Sequence, residues 1–293
     1  MEMPLVKQVR SFNRTVTERL GVLNDHFLGR NHPLGEARLL WEITEEGAKV
    51  RELRRRLGLD SAYLSRLLRS LEKQGLIVVR KSEHDGRVRK VQLTTAGLRE
   101  RAELDQRADA FAHSLLEPLS ESQRVKLVAA MAQVERIMNA SMVQITVADP
   151  TSQDARWCIE QYFTELGERF EAGFDPSLGI SAHAHELVPP AGLLLIASLR
   201  GEPIGCGALK FHENAPGELK RMWVAPRARG LGLGQRLLEA LERCAKEAGV
   251  AVLHLETNHT LIEAIQLYRS CGYQEVEAFN NEPYAHHWFE KRL

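Results

Sequence analysis

The sequence predicts two domains, a mainly α domain followed by an α/β domain, and three observations carry that expectation. The chain has 293 residues, enough for two domains of the usual size of roughly 100 to 200 residues, each burying its own core. Apolar residues recur at helical spacing as far as Ile137, after which Val143, Ile145 and Val147 alternate with polar residues in the period of a strand. The formal net charge of zero, from 39 basic and 39 acidic side chains, divides into +6 up to Ala140 and −6 beyond it. The expected domains are therefore 1–140 and 141–293. The basic excess narrows to Arg51–Lys90, which holds 12 basic and 5 acidic residues, a pattern that hints at a nucleic-acid partner.

Composition excludes several other classes. At 44% hydrophobic and 27% charged the chain is not of disordered type. No apolar run approaches the roughly 18 residues of a membrane span, and Met1–Arg10 lacks a secretory pattern, so a cytoplasmic chain is expected. Cys158, Cys206, Cys244 and Cys271 show no C-x-x-C spacing, which removes a zinc ribbon or a disulfide scaffold. His183 with His185, and His286 with His287, stand in no credible ligand set, so no metal is expected.

In chain order, Val9, Phe12, Val16, Leu20, Leu23 and Phe27 place one apolar stripe on a long helix that should pack on a partner. A second helix is expected from Leu34 to Thr44, and a third carries Val50, Leu53 and Leu57 before Gly58 closes it. Asp60 can N-cap the next helix, which Gly75 ends. On it, Leu64, Leu67, Leu68 and Leu71 form the buried side, and Ser65, Arg66, Arg69 and Lys73 project opposite at helical spacing. Two short helices joined by a glycine turn make a helix-turn-helix, whose second helix enters the major groove. Ser61, Tyr63, Ser65, Arg66 and Arg69 are thus candidate DNA contacts, since arginine can bond guanine with two donors.

Ile77–Arg80 and Val88–Leu93 read as strands around the turn Asp85-Gly86, with Arg87 near the tip. Such a wing suits phosphates or a narrow minor groove. Leu93-Thr94-Thr95-Ala96-Gly97 opens a long helix to about Glu117, and Pro118 breaks it. Ser120 with Gln123 then forms a capping box for a last helix bearing Val128, Met131, Val134 and Ile137.

Over Met1–Met138 the sequence resembles the MarR family of winged helix-turn-helix repressors. The matching features are Leu64-Ser65-Arg66, Gly75-Leu76, Asp85-x-Arg87 and Leu93-Thr94-x-x-Gly97. The resemblance implies an obligate homodimer with intertwined terminal helices, set on a pseudo-palindromic operator in double-stranded DNA. A winged helix used only for protein contacts is the alternative.

In the second half, the strand at Val143–Val147 precedes a helix from Ser152 to Phe170 and a long loop from Glu171 to Pro190. A hairpin, Leu193–Leu199 and Ile204–Phe211, turns at Arg200-Gly201-Glu202-Pro203. The run Glu218 to Val224 then feeds the turn Arg229-Gly230-Leu231-Gly232-Leu233-Gly234 and an amphipathic helix, Gln235–Ala248. A strand, a glycine turn and a helix N-terminus make an anion site, because backbone N–H groups and the helix dipole converge there. A dinucleotide fingerprint fits poorly: the glycine spacing differs, no P-loop Lys-Ser/Thr follows, and the preceding strands read as hairpins. Val250–Glu256 is a buried strand, Asn258 begins a loop, and Leu261–Ser270 is a helix carrying Tyr268. Tyr273–Phe279 and His286–Glu290 are the last strands.

This half, Gln144–Leu293, resembles the GNAT N-acetyltransferases. The resemblance rests on Arg229 to Gly234, on Met222-Trp223-Val224-x-Pro226 and on Ala264-Ile265-x-Leu267-Tyr268-x-x-x-Gly272-Tyr273. It implies acetyl-CoA as cosubstrate. Met222 and Val224 would bond the pantetheine arm through their backbones. Arg229, Gly230, Leu231, Gly232, Leu233 and Gly234 would hold the pyrophosphate, and Asn258 would contact the cofactor. Tyr268 matches the family's general-acid position. A neutral amine would attack the thioester, strand amides near Met222 would stabilise the oxyanion, and Tyr268 would protonate the thiolate. Glu218 or Glu256 is a candidate to take the substrate's proton, and Tyr162, Arg169 and Phe174 to shape the acceptor pocket.

The expected fold class is therefore a mainly-α winged helix-turn-helix, MarR-like, followed by an α/β GNAT acetyltransferase fold. The expected function is a DNA-binding regulator that also acetylates an amine, of a small molecule or a protein lysine, with ligand binding coupled to DNA affinity. A non-catalytic sensor of ligand or acetyl-CoA, and an enzyme that uses the winged helix only to dimerise, are the alternatives.

Overall fold

In the computed structural model, which describes residues 3–19, 27–30, 32–81, 88–171, 173–180, 182–213 and 215–293, the chain divides into two units, Met1–Ala130 and Met131–Leu293. The first begins with α1 (Met3–Arg19), which buries none of its residues and leaves Met3, Leu5, Val9 and Phe12 exposed. Leu20 and Leu23 of the expected stripe lie outside the described residues. Phe27 does not continue that helix: it sits on a 3-10 turn, Phe27–Gly29, buried edge-on against Trp41 at 6.1 Å. Positive φ at Leu28 and Gly29 breaks the helical path there.

Then come α2 (Leu34–Glu42), β1 (Ala48–Lys49), α3 (Val50–Leu57), α4 (Ser61–Lys73), β2 (Ile77–Lys81), β3 (Arg89–Leu93) and α5 (Thr95–Leu116). Leu39, Leu40, Ile43, Leu53, Leu64, Leu68, Leu71 and Leu104 form the core. The strands order β1-β3-β2; β1 was not expected, because two residues have no period to read. Gly58 takes a left-handed C-cap at φ 65°. Asp60 caps α4, its Oδ1 accepting from the Ala62 and Tyr63 amides at 2.9 and 2.8 Å.

Thr94 does two jobs. Its hydroxyl accepts from the Gly97 amide at 3.0 Å and donates to the Gly75 carbonyl at 2.7 Å, latching the start of α5 to the end of α4. That closeness is why position 97 is glycine: a Cβ there would lie 2.0 Å from the Leu76 carbonyl oxygen. The wing tip, with Asp85, Gly86 and Arg87, lies outside the described residues. Helix α6 (Glu121–Met142) starts at the expected capping box, with Ser120 N to Gln123 Oε1 at 2.9 Å and Gln123 N to Ser120 Oγ at 3.4 Å. It runs on past Asn139, where the helical pattern was expected to end, since Ala140-Ser141-Met142 holds no helix breaker. The division between the units falls inside it.

The second unit is built on β4 (Gln144–Ala148), α7 (Gln153–Arg169), β5 (Gly192–Leu199), β6 (Glu202–Lys210), β7 (Gly217–Val224), α8 (Leu233–Glu247), β8 (Val252–Thr257), α9 (Ile262–Ser270), β9 (Gln274–Val276) and β10 (His287–Arg292). The sheet order is β4-β5-β6-β7-β8-β10-β9. Arg200 and Gly201 turn the β5–β6 hairpin with φ of 52° and 79°, as a two-residue hairpin turn requires. Helices α7 and α8 pack on β6 and β7. All strand pairs are antiparallel except β7 with β8, which match only at Gly217↔Leu253 and Glu218↔His254. Beyond Glu218 the two strands part. The glycine turn therefore does sit in a parallel strand–helix–strand unit, β7–α8–β8, although the strands before it pair as hairpins.

Candidate functional site

The site is set by one extra residue in β7. Cys206 pairs with Trp223 and Ala208 with Lys220, so two residues of β7, Arg221 and Met222, face Gly207 alone. This is a β-bulge, which leaves backbone groups out of the ladder, and Arg221 takes the left-handed region at φ 54°. Gly207 makes room for it, because a Cβ there would lie 2.7 Å from Met222 Sδ and from Leu241 Cδ1.

Past the bulge the fork between β7 and β8 opens into a cleft of about 440 Å³, lined by Met222 and Val224 on one side and by Ala264, Leu267 and Tyr268 of α9 on the other. The N-terminus of α8 closes one end. Its first helical bond runs from Arg236 N to Gly232 O at 3.1 Å, so the amides of Leu233, Gly234 and Gln235 have no helical acceptor. Gly230 and Gly232 adopt φ of 75° and 70°, and the positions their Cβ atoms would fill face open space. Bare amides, the positive end of the helix dipole and missing side chains fit a pyrophosphate. Leu231 does not line this cleft; it packs half-buried on the core.

Tyr268 is buried against Tyr273 and Phe289, and its hydroxyl makes no hydrogen bond to any described residue. Burial raises its pKa well above the usual phenol value, and the neighbouring Tyr162 and Glu256 add to the effect. The phenol therefore holds its proton throughout the neutral range. Tyr162, on the opposite wall, is raised by burial in the same direction.

Arg229 lines the cleft, but its guanidinium is committed: Nε donates to Val224 O at 3.0 Å and Nη2 to Glu165. Glu165 also accepts from Trp223 Nε1 at 2.8 Å and pairs with Arg169 at 3.4 Å. Arg169, expected at the acceptor, donates to Thr260 O at 2.6 Å and to Glu263 at 2.8 Å, tying α7 to the start of α9. Sequence reasoning missed Glu165; only its four-residue spacing from Arg169 hinted at a role.

A second pocket, of about 110 Å³, shares Tyr162, Leu166 and Leu261 with the cleft and is lined further by Phe174, Arg221, Glu256, Asn258, Glu282 and Tyr284. Glu256 is ion-paired with Lys220 and accepts from Asn280 Nδ2 at 3.5 Å. Asn258 lies here rather than in the cleft, its amide used at both ends, by Tyr284 O at 2.8 Å and by the Thr260 amide at 2.9 Å. Glu218 lines neither pocket. It sits where β7 and β8 are still paired, within 3.4 Å of both Lys220 and His212, so the geometry withdraws it from the site.

On the first unit, Ser61, Arg66 and Arg69 are exposed on α4 and Ser65 is half-buried. Tyr63 is partly a packing residue: a Cβ on Gly35 of α2 would lie 2.7 Å from its hydroxyl, and Arg66 stacks over its ring at 5.4 Å.

This mixed sheet, forked beside a strand bulge and a bare helix N-terminus, belongs to a chain whose relatives are named as acyl-transferring enzymes. The chain belongs to the GNAT acetyltransferases: residues 190–275 match the acetyltransferase (GNAT) domain model. An IAA acetyltransferase of Azospirillum brasilense is 35% identical over 147 residues, covering 49% of this chain and 92% of the relative. The uncharacterised N-acetyltransferase YjgM of Escherichia coli is 32% identical, covering 41% and 74%. Residues 30–88, within the first unit, match the MarR family model. The solved PcaV transcriptional regulator of Streptomyces coelicolor is 21% identical over 44% of this chain and 94% of its own, with a TM-score of 0.39. Among the described residues no helix is long and apolar enough to cross a membrane, and no three His, Cys, Asp or Glu side chains are grouped to hold a metal.

Proposed function

We propose that this protein transfers acetyl groups from acetyl-CoA to an amine and binds a pseudo-palindromic operator as a homodimer. The observation that carries the enzymatic half is the convergence on one cleft of the bare α8 amides, the β7 bulge and a buried phenol with no hydrogen-bond partner among the described residues. Acetyl-CoA supplies the acetyl group as an activated thioester. The amides of Leu233, Gly234 and Gln235 hold its pyrophosphate, while Met222 and Val224 align the pantetheine arm through their backbones. Bulge amides at Arg221 and Met222 face the acyl oxygen as negative charge builds on it. Tyr268, kept protonated by burial, donates to the departing sulfur. Glu256 is the better-placed of the two carboxylates to take the amine's proton, directly or through water.

The test is acetyl-CoA-dependent thiol release across an amine panel, repeated with Tyr268→Phe. Loss of one general acid should lower kcat on the order of 100-fold with acetyl-CoA affinity kept. An undiminished rate removes Tyr268 from the role, and no thiol release by the wild type despite acetyl-CoA binding favours the sensor.

For the DNA half, the exposed Arg66 and Arg69 on α4 support a major-groove role. Arg66→Ala with Arg87→Ala should abolish specific operator binding; unchanged binding would leave the winged helix a dimerisation device. Coupling requires a ligand to bind two dimer conformations unequally, so operator affinity should shift at saturating acetyl-CoA and substrate.

A further inference from the structure

We infer that the acceptor is an amino acid or a close analogue, an amine with a carboxylate a few bonds away and an apolar side chain, and that Arg221 binds the carboxylate. This deepens the acetyltransferase reading above and rests on it. Arg221 and Met222 are neighbours on the bulge, yet Met222 lines the cleft for the acyl donor and Arg221 lines the second pocket. The bulge thus deals one side chain to each substrate.

The guanidinium of Arg221 is enclosed but not neutralised. It lies over the Phe163 ring at 4.5 Å and donates through Nη2 to the Ala182 carbonyl at 2.8 Å. Its Nε is buried without a partner, and no carboxylate among the described residues pairs with it. Burial is the main influence on its pKa and lowers it, as expected for a cation short of counter-charge. Beyond burial it feels the Tyr162 phenol, the Cys206 thiol and one carboxylate, Glu186, which is already bonded to Lys210 at 2.9 Å and to the His183 amide at 2.7 Å. The adjacent Lys220, by contrast, has Glu256 and Glu218. Arginine keeps its proton under all ordinary conditions, and a buried, unpaired charge is unfavourable unless a ligand completes it. Its planar fork matches a carboxylate.

The rest of the pocket selects the remaining parts. Phe163, Phe170, Phe174 and Tyr284 form a connected aromatic wall, with ring centroids 4.9 to 5.7 Å apart. That wall suits an apolar side chain, and a volume of about 110 Å³ suits a small molecule. The amine is left at the junction with the cleft, beside Tyr162. In the reaction the amine nitrogen forms a bond to the acetyl carbon, the carbon–sulfur bond breaks, and the proton lost from nitrogen is balanced by the one gained by the thiolate.

Calorimetry on the full-length protein saturated with CoA tests this without requiring turnover. L-phenylalanine and L-leucine would be compared with their amides and with their decarboxylated amines. The acids should bind on the order of 10- to 100-fold more tightly, the worth of hydrogen bonds to a charged group. In Arg221→Gln that gap should close, with CoA affinity unchanged as evidence of folding, and in Arg221→Lys it should narrow. Equal binding of acids and amides by the wild type, no binding of either acid, or a gap that survives Arg221→Gln overturns the inference. Selective binding of acids without thiol release would uphold the carboxylate subsite and reject catalysis. Thiol release at equal kcat/KM for acid and amide would do the reverse.

Discussion

Glu100 shows how a single residue ties the first unit to pH. Its carboxylate accepts from Arg30 and faces His32 Nε2 at 3.3 Å; the Arg30 hydrogen bond holds its pKa below the usual carboxylate value. A depressed folded pKa gives stability that is present above the unfolded value and is lost as pH falls through the folded one. Acid should therefore loosen this unit as Glu100 is protonated, and Glu100→Gln should flatten that part of the stability–pH curve measured by urea unfolding. Gly97 is limiting in a different way. Gly97→Ala places a methyl against the Leu76 carbonyl and should cost about 1–3 kcal/mol by the overpacking it forces, read as a lower urea midpoint. Asp60, Gly58 and the Ser120–Gln123 pair were legible in the sequence because a cap and its partner lie within a few residues. Glu165 and the enclosure of the Arg221 guanidinium without a carboxylate partner among the described residues were not, since each depends on groups from distant segments meeting in space.

Among the elements, α8 is the one whose proposed role is concentrated at its first turn. Gly232→Ala would require an alanine at φ 70°, a conformation disfavoured by roughly 1–2 kcal/mol, and would put a methyl in the open space beside the bare amides. Acetyl-CoA affinity should fall at least about tenfold, with the affinity for the amine unchanged; calorimetry with each ligand separates the two. The helix begins at Leu233, two residues ahead of the expected Gln235, because Gly232 supplies the left-handed cap and Leu233 and Gly234 already follow helical geometry. Periodicity locates the amphipathic body of such an element and leaves its glycine-rich end unmarked. The same limit explains β9, which spans only Gln274–Val276 rather than the expected Tyr273–Phe279, and β1.

At the scale of the whole molecule, α1 and α6 carry most of the large exposed apolar side chains among the described residues. Val125, Val128, Met131, Val134 and Ile137 on α6 are exposed, as are Val9 and Phe12 on α1. A second copy is the proposed cover. Val128→Glu with Met131→Glu should then yield monomers by sedimentation and weaken operator binding, with acetyl-CoA affinity retained, because two half-sites must be held at one spacing. The charge division visible in the sequence acquires a physical sense here. Arg66 and Arg69 can meet phosphates and base edges with charged side chains, whereas the acidic unit offers an anion the uncharged amides of α8.

The bulge at Arg221 makes function depend on a count of residues as well as on their identity. Deleting that one position would let β6 and β7 pair without interruption, and a strand shifted by one residue turns its side chains to the other face. Either Met222 and Val224 would leave the cleft, or Glu218 and Lys220 would leave the ion pairs they form beside the second pocket. The shortened chain would have a more regular sheet and no left-handed arginine, and it would have lost the boundary between the two proposed substrate sites. On the proposed function, regularity and catalysis are opposed at this residue, so an irregularity that a search for stability would remove is one that activity requires.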